Sequence, residues 1–579
     1  MYKIHIENRK YSVWSCLEVA TFKQVELEAV CPVKEKLFSN DVFSITEHGE
    51  VKQEFSSVKQ LENIPGVLDL SANKTYGREH NGSGKLLYKV VPDDIRLPVF
   101  LVPYEQKYMG FSKVFVNLYV TFKFISWEGK HPVGKLTSTI GRVDVLSHFY
   151  EYQLFCRSLN ASIQTFNKTA SKSVKTLSAN QSIDDIIDKY EGIEDRRKDW
   201  HVFTIDPPTS TDFDDGFSIK KGDDGISLLS IYISNVTILL DVLNLWGSFS
   251  RRVSTIYLPD RKRPMLPTIL SDNLCSLQEK NTRFALAMDI RVDESTGEIK
   301  DIEYRNCAIR VFKNYRYEEK TLGKDKDYQY LAHITEKLAN KYKYIRCISN
   351  SHDVVCYLMT LMNYHCAQDL LSHHNGIFRS SILKNENLDV PTELSQDAEK
   401  FIKIWYSSGG CYINASSLEN NLDEVRHELM NMDAYVHITS PIRRLVDLLN
   451  MIQFQKNRNM IGLSEEAYKF YEEWTSEEEM TYINTTMRSI KKVQNDCSTL
   501  EFYTNNEEAM EEVYEGIMFD KMLRNDGTYQ YVVYLSKLRL TLKINLHMHY
   551  ENFTKGGFKL FLFEDEETLR RKIRIQKME

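Results

Sequence analysis

The chain has 579 residues, 42% of them hydrophobic and 27% charged, with a formal net charge of −7. That composition fits a globular protein of several domains, and the acidic balance means that any nucleic-acid path is a local basic stripe rather than a global field. The cysteines at 16, 31, 156, 275, 307, 347, 356, 366, 411 and 497 form no C-x-x-C pair, which argues against a zinc site or a disulfide scaffold and fits a reducing compartment.

No apolar run approaches the length that spans a bilayer, and the start MYKIHIENRK lacks the apolar core of a signal peptide. The expectation is an intracellular protein, cytoplasmic in preference to nuclear. From residue 1 to about 150, short β-rich runs such as Lys85 to Val91 and Val114 to Ile125 alternate with turn residues, a spacing that predicts small antiparallel barrels. In such barrels Tyr104, Tyr108, Phe111 and Lys113 serve either single-stranded nucleic acid or ordinary hairpin packing. Residues 169–182, TASKSVKTLSANQS, are polar and Ser/Thr-rich and read as a linker.

The chain is organised around TIDPPTSTDFDDGFS, Thr204 to Ser218, which packs Asp206, Asp212, Asp214 and Asp215 together. Four close carboxylates repel unless cations lie among them, and Mg²⁺ suits oxygen ligands shared with substrate phosphates. The alternative is an acidic surface turn. Against it, Val202 to Ile205 is a β-branched and aromatic run stopped by Pro207 and Pro208, and the spacing does not fit a Ca²⁺ loop. Further on, Leu228 to Leu240 reads as a buried strand and helix start, and Ala285 to Val311 as a hairpin. Val354 to Leu370 reads as a helix whose Cys356, Met359, Met362 and Cys366 share a core face. Ser464 to Phe502 is helical in pattern, and the chain from Val513 onward reads as strands.

The acidic stretch, together with YVHITSPIRRLVDL at Tyr435 to Leu448, resembles the two signatures of the RNase II, RNase R and exosome-nuclease (RNB) family of exoribonucleases. The run from Arg251 to Leu277 and GIFRSS at Gly376 to Ser381 resemble further blocks of it. The resemblance implies an α+β fold: an RNB catalytic domain over 199–510, a first cold-shock-type OB domain over 1–65 and a second over 66–168. A linker over 169–198 and a C-terminal S1-type OB domain over 511–579 complete it. No stretch ahead of the first barrel matches the extra endonuclease domain of some relatives, so the expected activity is exonucleolytic only.

The implied activity is 3′-to-5′ hydrolysis of single-stranded RNA to nucleoside 5′-monophosphates, with Mg²⁺, or alternatively Mn²⁺, held by Asp206, Asp212, Asp214 and Asp215. Asp214 is also expected to act in catalysis, with Arg443 as the fixed charge that meets the transferred phosphoryl group. Tyr257 and Tyr317 align with aromatics that stack on RNA bases, with plain packing as the alternative for each. Thr439 and Ser440 are expected to donate to a phosphate at the start of a helix, and Arg444 either to join them or to pair with Asp447. His437 is assigned no chemistry. The implied partners are single-stranded RNA and an exosome-like or other RNA-decay assembly, with no membrane.

Departures from the family are Asn235 for a usual Asp, Cys356 and Tyr357 where two Glu are expected, Leu445 for an aromatic, and Met451 and Ile452 for His-Arg. Only YIRCISNSHD precedes the helix at Val354, leaving the second ring of the base clamp unidentified. These departures keep two rivals open: a catalytically impaired RNA-binding protein on the same fold, and a DNA exonuclease.

Overall fold

A computed structural model describes residues 1–578, apart from 28–29, 80–83, 106–114, 181–182, 346, 383–390, 392–393, 407–409, 419–421 and 525. Tyr108, Phe111 and Lys113 therefore lie outside the described residues. The chain divides into two compact units: residues 1–160, 258–260 and 491–579 in one, 161–257 and 261–490 in the other.

The first unit is built of three small β assemblies. Strands between Tyr2–Ile6 and Val51–Phe55 form a five-stranded antiparallel sheet, and those from Ile64–Leu68 to Val133–Arg142 close into a five-stranded barrel. Gly66 marks a close approach in that barrel: a Cβ there would meet Val90 Cγ1 at 2.7 Å and the Val91 carbonyl oxygen at 2.9 Å. The run from Tyr514–Leu523 to Arg570–Lys577 makes a third five-stranded antiparallel sheet around Met518, Tyr531, Val533 and Phe558. Tyr104 lies edge-on to Tyr88 with ring centroids 6.1 Å apart, which is hairpin packing.

The second unit begins with a correction. The segment expected to be a polar linker is largely helical, forming α1 (Gln164–Asn180). Its Ser and Thr residues hide a stripe: Phe166 and Ala170 are buried and Val174 and Leu177 half-buried, at spacings of four, four and three. Phe166 packs against Phe249 at 5.2 Å, and Lys168, Lys172 and Lys175 stand exposed on the helix surface.

Six strands follow: β1 (Ile193–Arg196), β2 (Val202–Asp206), β3 (Asp215–Lys220), β4 (Ile226–Ser234), β5 (Thr282–Asp293) and β6 (Ile299–Arg316). Their order is β1-β6-β2-β3-β4-β5, and β5 pairs back onto β6, so the sheet comes round on itself. The β5–β6 hairpin has the register expected of it, Thr282 opposite Arg310 through Val292 opposite Ile299. One face packs on α2 (Lys326–Lys341), α3 (Ser351–Ser372) and α4 (Leu445–Asn457), burying Phe203, Ile231 and Met288 with Leu338, Leu358, Leu361 and Phe454. On α3 the sulfur-bearing face is core only in part: Met362 and Cys366 are buried, Met359 is half-buried, and Cys356, a turn from the N-terminus, is exposed. Among the described residues no helix is long and apolar enough to cross a membrane.

Candidate metal and phosphate site

The acidic stretch is a strand, a pinned loop and a second strand. Pro207 and Pro208 stop β2 at Asp206, and the loop is then held from both sides. Arg316 Nη1 donates to the Pro207 carbonyl at 3.1 Å, the Phe213 amide donates to Ser276 Oγ at 3.0 Å, and Ser276 Oγ donates to the Thr211 carbonyl at 3.0 Å. The amide of Tyr317 donates to the Asp206 carbonyl at 3.0 Å, which sets that tyrosine beside the loop. All four aspartates thus arrive at the ends of β2 and β3 on a short, restrained backbone.

Their side chains split into two pairs. Asp212 accepts from Lys262 Nζ at 2.9 Å and from the Tyr257 hydroxyl at 3.0 Å. Asp214, 3% exposed, accepts the Ile442 amide at 3.0 Å on Oδ1 and Arg443 Nε at 3.1 Å on Oδ2. Asp206, 7% exposed, and Asp215 instead each keep a buried Oδ2 without a hydrogen-bond partner. Burial pushes all three of Asp206, Asp214 and Asp215 up, Asp214 to about 7. Each of Asp206 and Asp215 is raised further by neighbouring carboxylates, Asp206 itself acting on Asp215. Two buried, mutually repelling carboxylates with unsatisfied oxygens are what a hard divalent cation relieves. The donor set therefore fits Mg²⁺ or Mn²⁺ at Asp206 and Asp215.

This repulsion makes stability depend on pH in a definite direction. Between about pH 4 and neutrality the native carboxylates retain protons that the unfolded chain has released, so the unfolded state binds fewer protons and stability falls as pH rises. Thermal unfolding of metal-free protein is expected to show this fall, and Mn²⁺ is expected to raise the midpoint more at about pH 8 than at about pH 6. An equal gain at both pH values would remove the ion from these carboxylates.

The second signature docks onto the first. The Thr255 amide donates to the Arg443 carbonyl at 2.9 Å, and the Leu445 amide to that of Val253 at 2.9 Å. Arg443 Nη2 donates to Ser440 Oγ at 3.0 Å, leaving a guanidinium side chain that is 43% exposed. Thr439 and Ser440 are both buried, and Thr439 Oγ1 accepts from Asn363 at 3.4 Å. Helix α4 starts at Leu445 rather than at Pro441, because Arg444 is extended and its segment pairs with the stretch around Ser254; ahead of it the Ser440 amide donates to Asp447 at 2.7 Å and the Ile442 amide to Asp214. Of the two alternatives for Arg444, the structure shows the ion pair: Nη2 donates to the buried Asp447 at 2.9 Å. His437 is half-buried, its Nδ1 2.8 Å from the Tyr412 hydroxyl.

The two aromatics differ. Tyr257 sits on a short hairpin (Ile256–Tyr257 with Lys262–Arg263), 42% exposed. Tyr317 is half-buried, and its phenol is pushed up by burial and then by Asp215 and Asp206. The ring of His352, in the first turn of α3, lies 5.2 Å from that of Tyr317. Tyr357 is buried and donates to the Tyr342 carbonyl at 3.0 Å, so it is part of the core.

Sequence reasoning missed Lys262 and Arg316, whose relevance appears only through contacts 50 and 106 residues away along the chain. It also missed His201, Asp325 and Asp327, whose ligand atoms lie within 4.8 Å of one another. Those groups already satisfy each other. Asp325 caps α2 by accepting the amides of Asp327 and Tyr328 and also accepts the Tyr315 hydroxyl, while His201 Nδ1 meets Asp327 at 2.6 Å.

The curled sheet thus gathers four carboxylates and an arginine into one site. Residues 195–351 match the RNB domain. It is 24% identical over 312 residues to ribonuclease R of Chlamydia pneumoniae, covering 44% of this chain and 46% of that one. It is 30% identical over 206 residues to ribonuclease R of Ureaplasma parvum, covering 34% and 26%. The matches thus span less than half the length of these relatives. Among solved structures, Mycoplasma genitalium RNase R in complex with ribose methylated single-stranded RNA superposes over 100% of both chains with a TM-score of 0.68 at 15% identity. Yeast Ssd1, a pseudonuclease, does so over 87% of this chain and 68% of its own, with a TM-score of 0.59 at 13% identity. At these identities the likeness is one of fold.

Proposed function

We propose that the protein is a 3′-to-5′ exoribonuclease that releases nucleoside 5′-monophosphates from single-stranded RNA. The observation that carries this reading is the pair of unpartnered, buried Oδ2 atoms of Asp206 and Asp215 close to a half-exposed Arg443. Asp206 and Asp215 would hold a divalent ion, which would supply Lewis acidity at the scissile phosphate. The chain's own groups do the rest. Asp214, through Arg443 Nε and the Ile442 amide, fixes the guanidinium so that its remaining N–H donors face the phosphate. Tyr317 with His352, and Tyr257, offer π faces to bases, which gives affinity without sequence choice. The three β assemblies of the other unit act as OB-type modules for the single strand. The basic stripe that an acidic RNA-binding chain needs is supplied in part by Lys168, Lys172 and Lys175 on α1, a helix without an acidic residue.

The second reading, an RNA binder without activity, is favoured by one observation: Asp212 is already neutralised by Lys262. The test is digestion of a 5′-labelled single-stranded RNA with Mg²⁺ or Mn²⁺, beside an Asp206→Asn variant and a matched DNA. A ladder that shortens from the 3′ end, absent in the variant and on DNA, is expected. RNA that is retained on the protein but stays full length with either metal would establish the binder, and shortening of the DNA as well would remove the restriction to RNA.

A further inference from the structure

We propose that the aspartate cluster takes a single divalent cation, held by Asp206 and Asp215, and that the Lys262 ammonium stands where a second cation would otherwise bind Asp212. The proposal rests on the reading of this cluster as a metal site and adds to it a count of ions and a residue that sets the count.

The argument is one of donors and acceptors. A lysine ammonium has three N–H donors, and those of Lys262 match three oxygens: Asp212 Oδ1 at 2.9 Å, Asp272 Oδ1 at 2.9 Å and Thr211 Oγ1 at 2.6 Å. It is therefore fixed between two carboxylates, with no N–H left to draw it elsewhere. The other oxygen of Asp212 is occupied by the Tyr257 hydroxyl. Both oxygens of Asp214 are likewise engaged, by Arg443 Nε and the Ile442 amide. What remains is Asp206 and Asp215, each with one buried Oδ2 that meets no donor, Arg316 and Arg443 acting on them without a hydrogen bond. Their combined charge is that of one divalent ion. Magnesium needs no more than one or two protein carboxylates, because it completes its shell with waters and substrate phosphate oxygens.

Lys262 is anchored by the chain itself. It lies on the short strand Lys262–Arg263, opposite Tyr257, so both residues that cover Asp212 come from one hairpin. A side chain that carried the same length without charge would leave Asp212 and Asp272 facing each other, two carboxylates with the geometry that invites a cation.

The experiment uses the full chain, freed of nucleic acid, and Mn²⁺ alone as the probe, with bound ions counted by calorimetry and by the loss of the free-ion paramagnetic resonance signal. Wild type is expected to bind one Mn²⁺, Asp215→Asn none at the same concentrations, Lys262→Arg one, and Lys262→Met two. Two ions or none in wild type, or one in Lys262→Met, would overturn the proposal. Should Lys262→Met fail to fold by circular dichroism, Lys262→Gln is read in its place and the wild-type count stands on its own. The same preparation is given labelled RNA. One bound ion with intact RNA refutes the nuclease and keeps the ion count, whereas two bound ions with shortened RNA does the reverse.

Discussion

Arg443→Ala is expected to slow RNA shortening by roughly 10²–10³-fold, the usual loss when one preorganised donor to developing charge is removed, while RNA stays bound in EDTA. The guanidinium is held at two points, Asp214 at 3.1 Å and Ser440 at 3.0 Å, and is 43% exposed, so it is oriented without being withdrawn from the surface. A fixed cation of this kind acts on the transition state more than on the bound RNA, so the loss belongs in turnover rather than in affinity. Arg443→Lys is expected to recover little. An ammonium presents a compact point charge and lacks the planar fork by which Nε holds Asp214 and Nη2 holds Ser440 while the remaining N–H donors keep a fixed direction. The fold is expected to tolerate both changes, because Asp214, already pushed up to about 7 with Arg443 beside it, takes up a proton instead of remaining as an isolated buried charge. Single-turnover rates and filter-binding affinities separate the two effects. A variant whose rate is unchanged, or whose loss lies wholly in affinity, would take Arg443 out of the chemistry.

The residues that were legible in the sequence are those whose chemistry is contiguous. Asp206 to Asp215 and Thr439 to Arg444 are each a single short stretch, and β2, the β5–β6 hairpin and α3 follow from their apolar periodicity. What was illegible depends on pairing at a distance. Nothing in the local sequence tells that Lys262 reaches Asp212, that Arg316 pins Pro207, or that the aspartates divide into a partnered and an unpartnered pair. The polar composition of α1 masked four apolar positions at helical spacing, and α4 starts later than the sequence suggests because Arg444 is extended and bridges to the distant Ser254. For Tyr257 and Tyr317 the sequence left stacking and packing open. The structure adds that each tyrosine lies against the acidic cluster, one by a hydrogen bond to Asp212 and the other through its backbone amide.

The largest stability effect is expected on the same sheet, away from the cluster. Arg196 is 2% exposed at the end of β1, and its guanidinium meets Asp289 of β5 in a fork, Nη1 to Oδ1 at 2.9 Å and Nη2 to Oδ2 at 2.6 Å. Ser230 Oγ donates to Asp289 Oδ1 at 2.6 Å, and the Arg196 guanidinium carbon lies over the Trp200 ring, 4.1 Å from its centroid. Asp289→Ala would leave a buried guanidinium with the more exposed Glu194 as its remaining carboxylate partner, so it should cost about 3–5 kcal/mol, the usual penalty for breaking a buried pair on one side. Replacing both partners, Arg196→Met with Asp289→Leu, should recover most of that, since the penalty comes from the stranded charge and not from losing the pair itself. Denaturant unfolding followed by tryptophan fluorescence reads both variants, because Trp200 reports on this corner. Equal destabilisation by the single and double variants would show that packing, not charge, holds the corner together. The expectation for activity is the opposite of that for Arg443. The pair ties edge strand β1 to the β5–β6 hairpin, whereas Asp206 and Tyr317 are set by β2 and the far end of β6. At a temperature where Asp289→Ala remains folded, its RNA shortening should therefore match that of wild type.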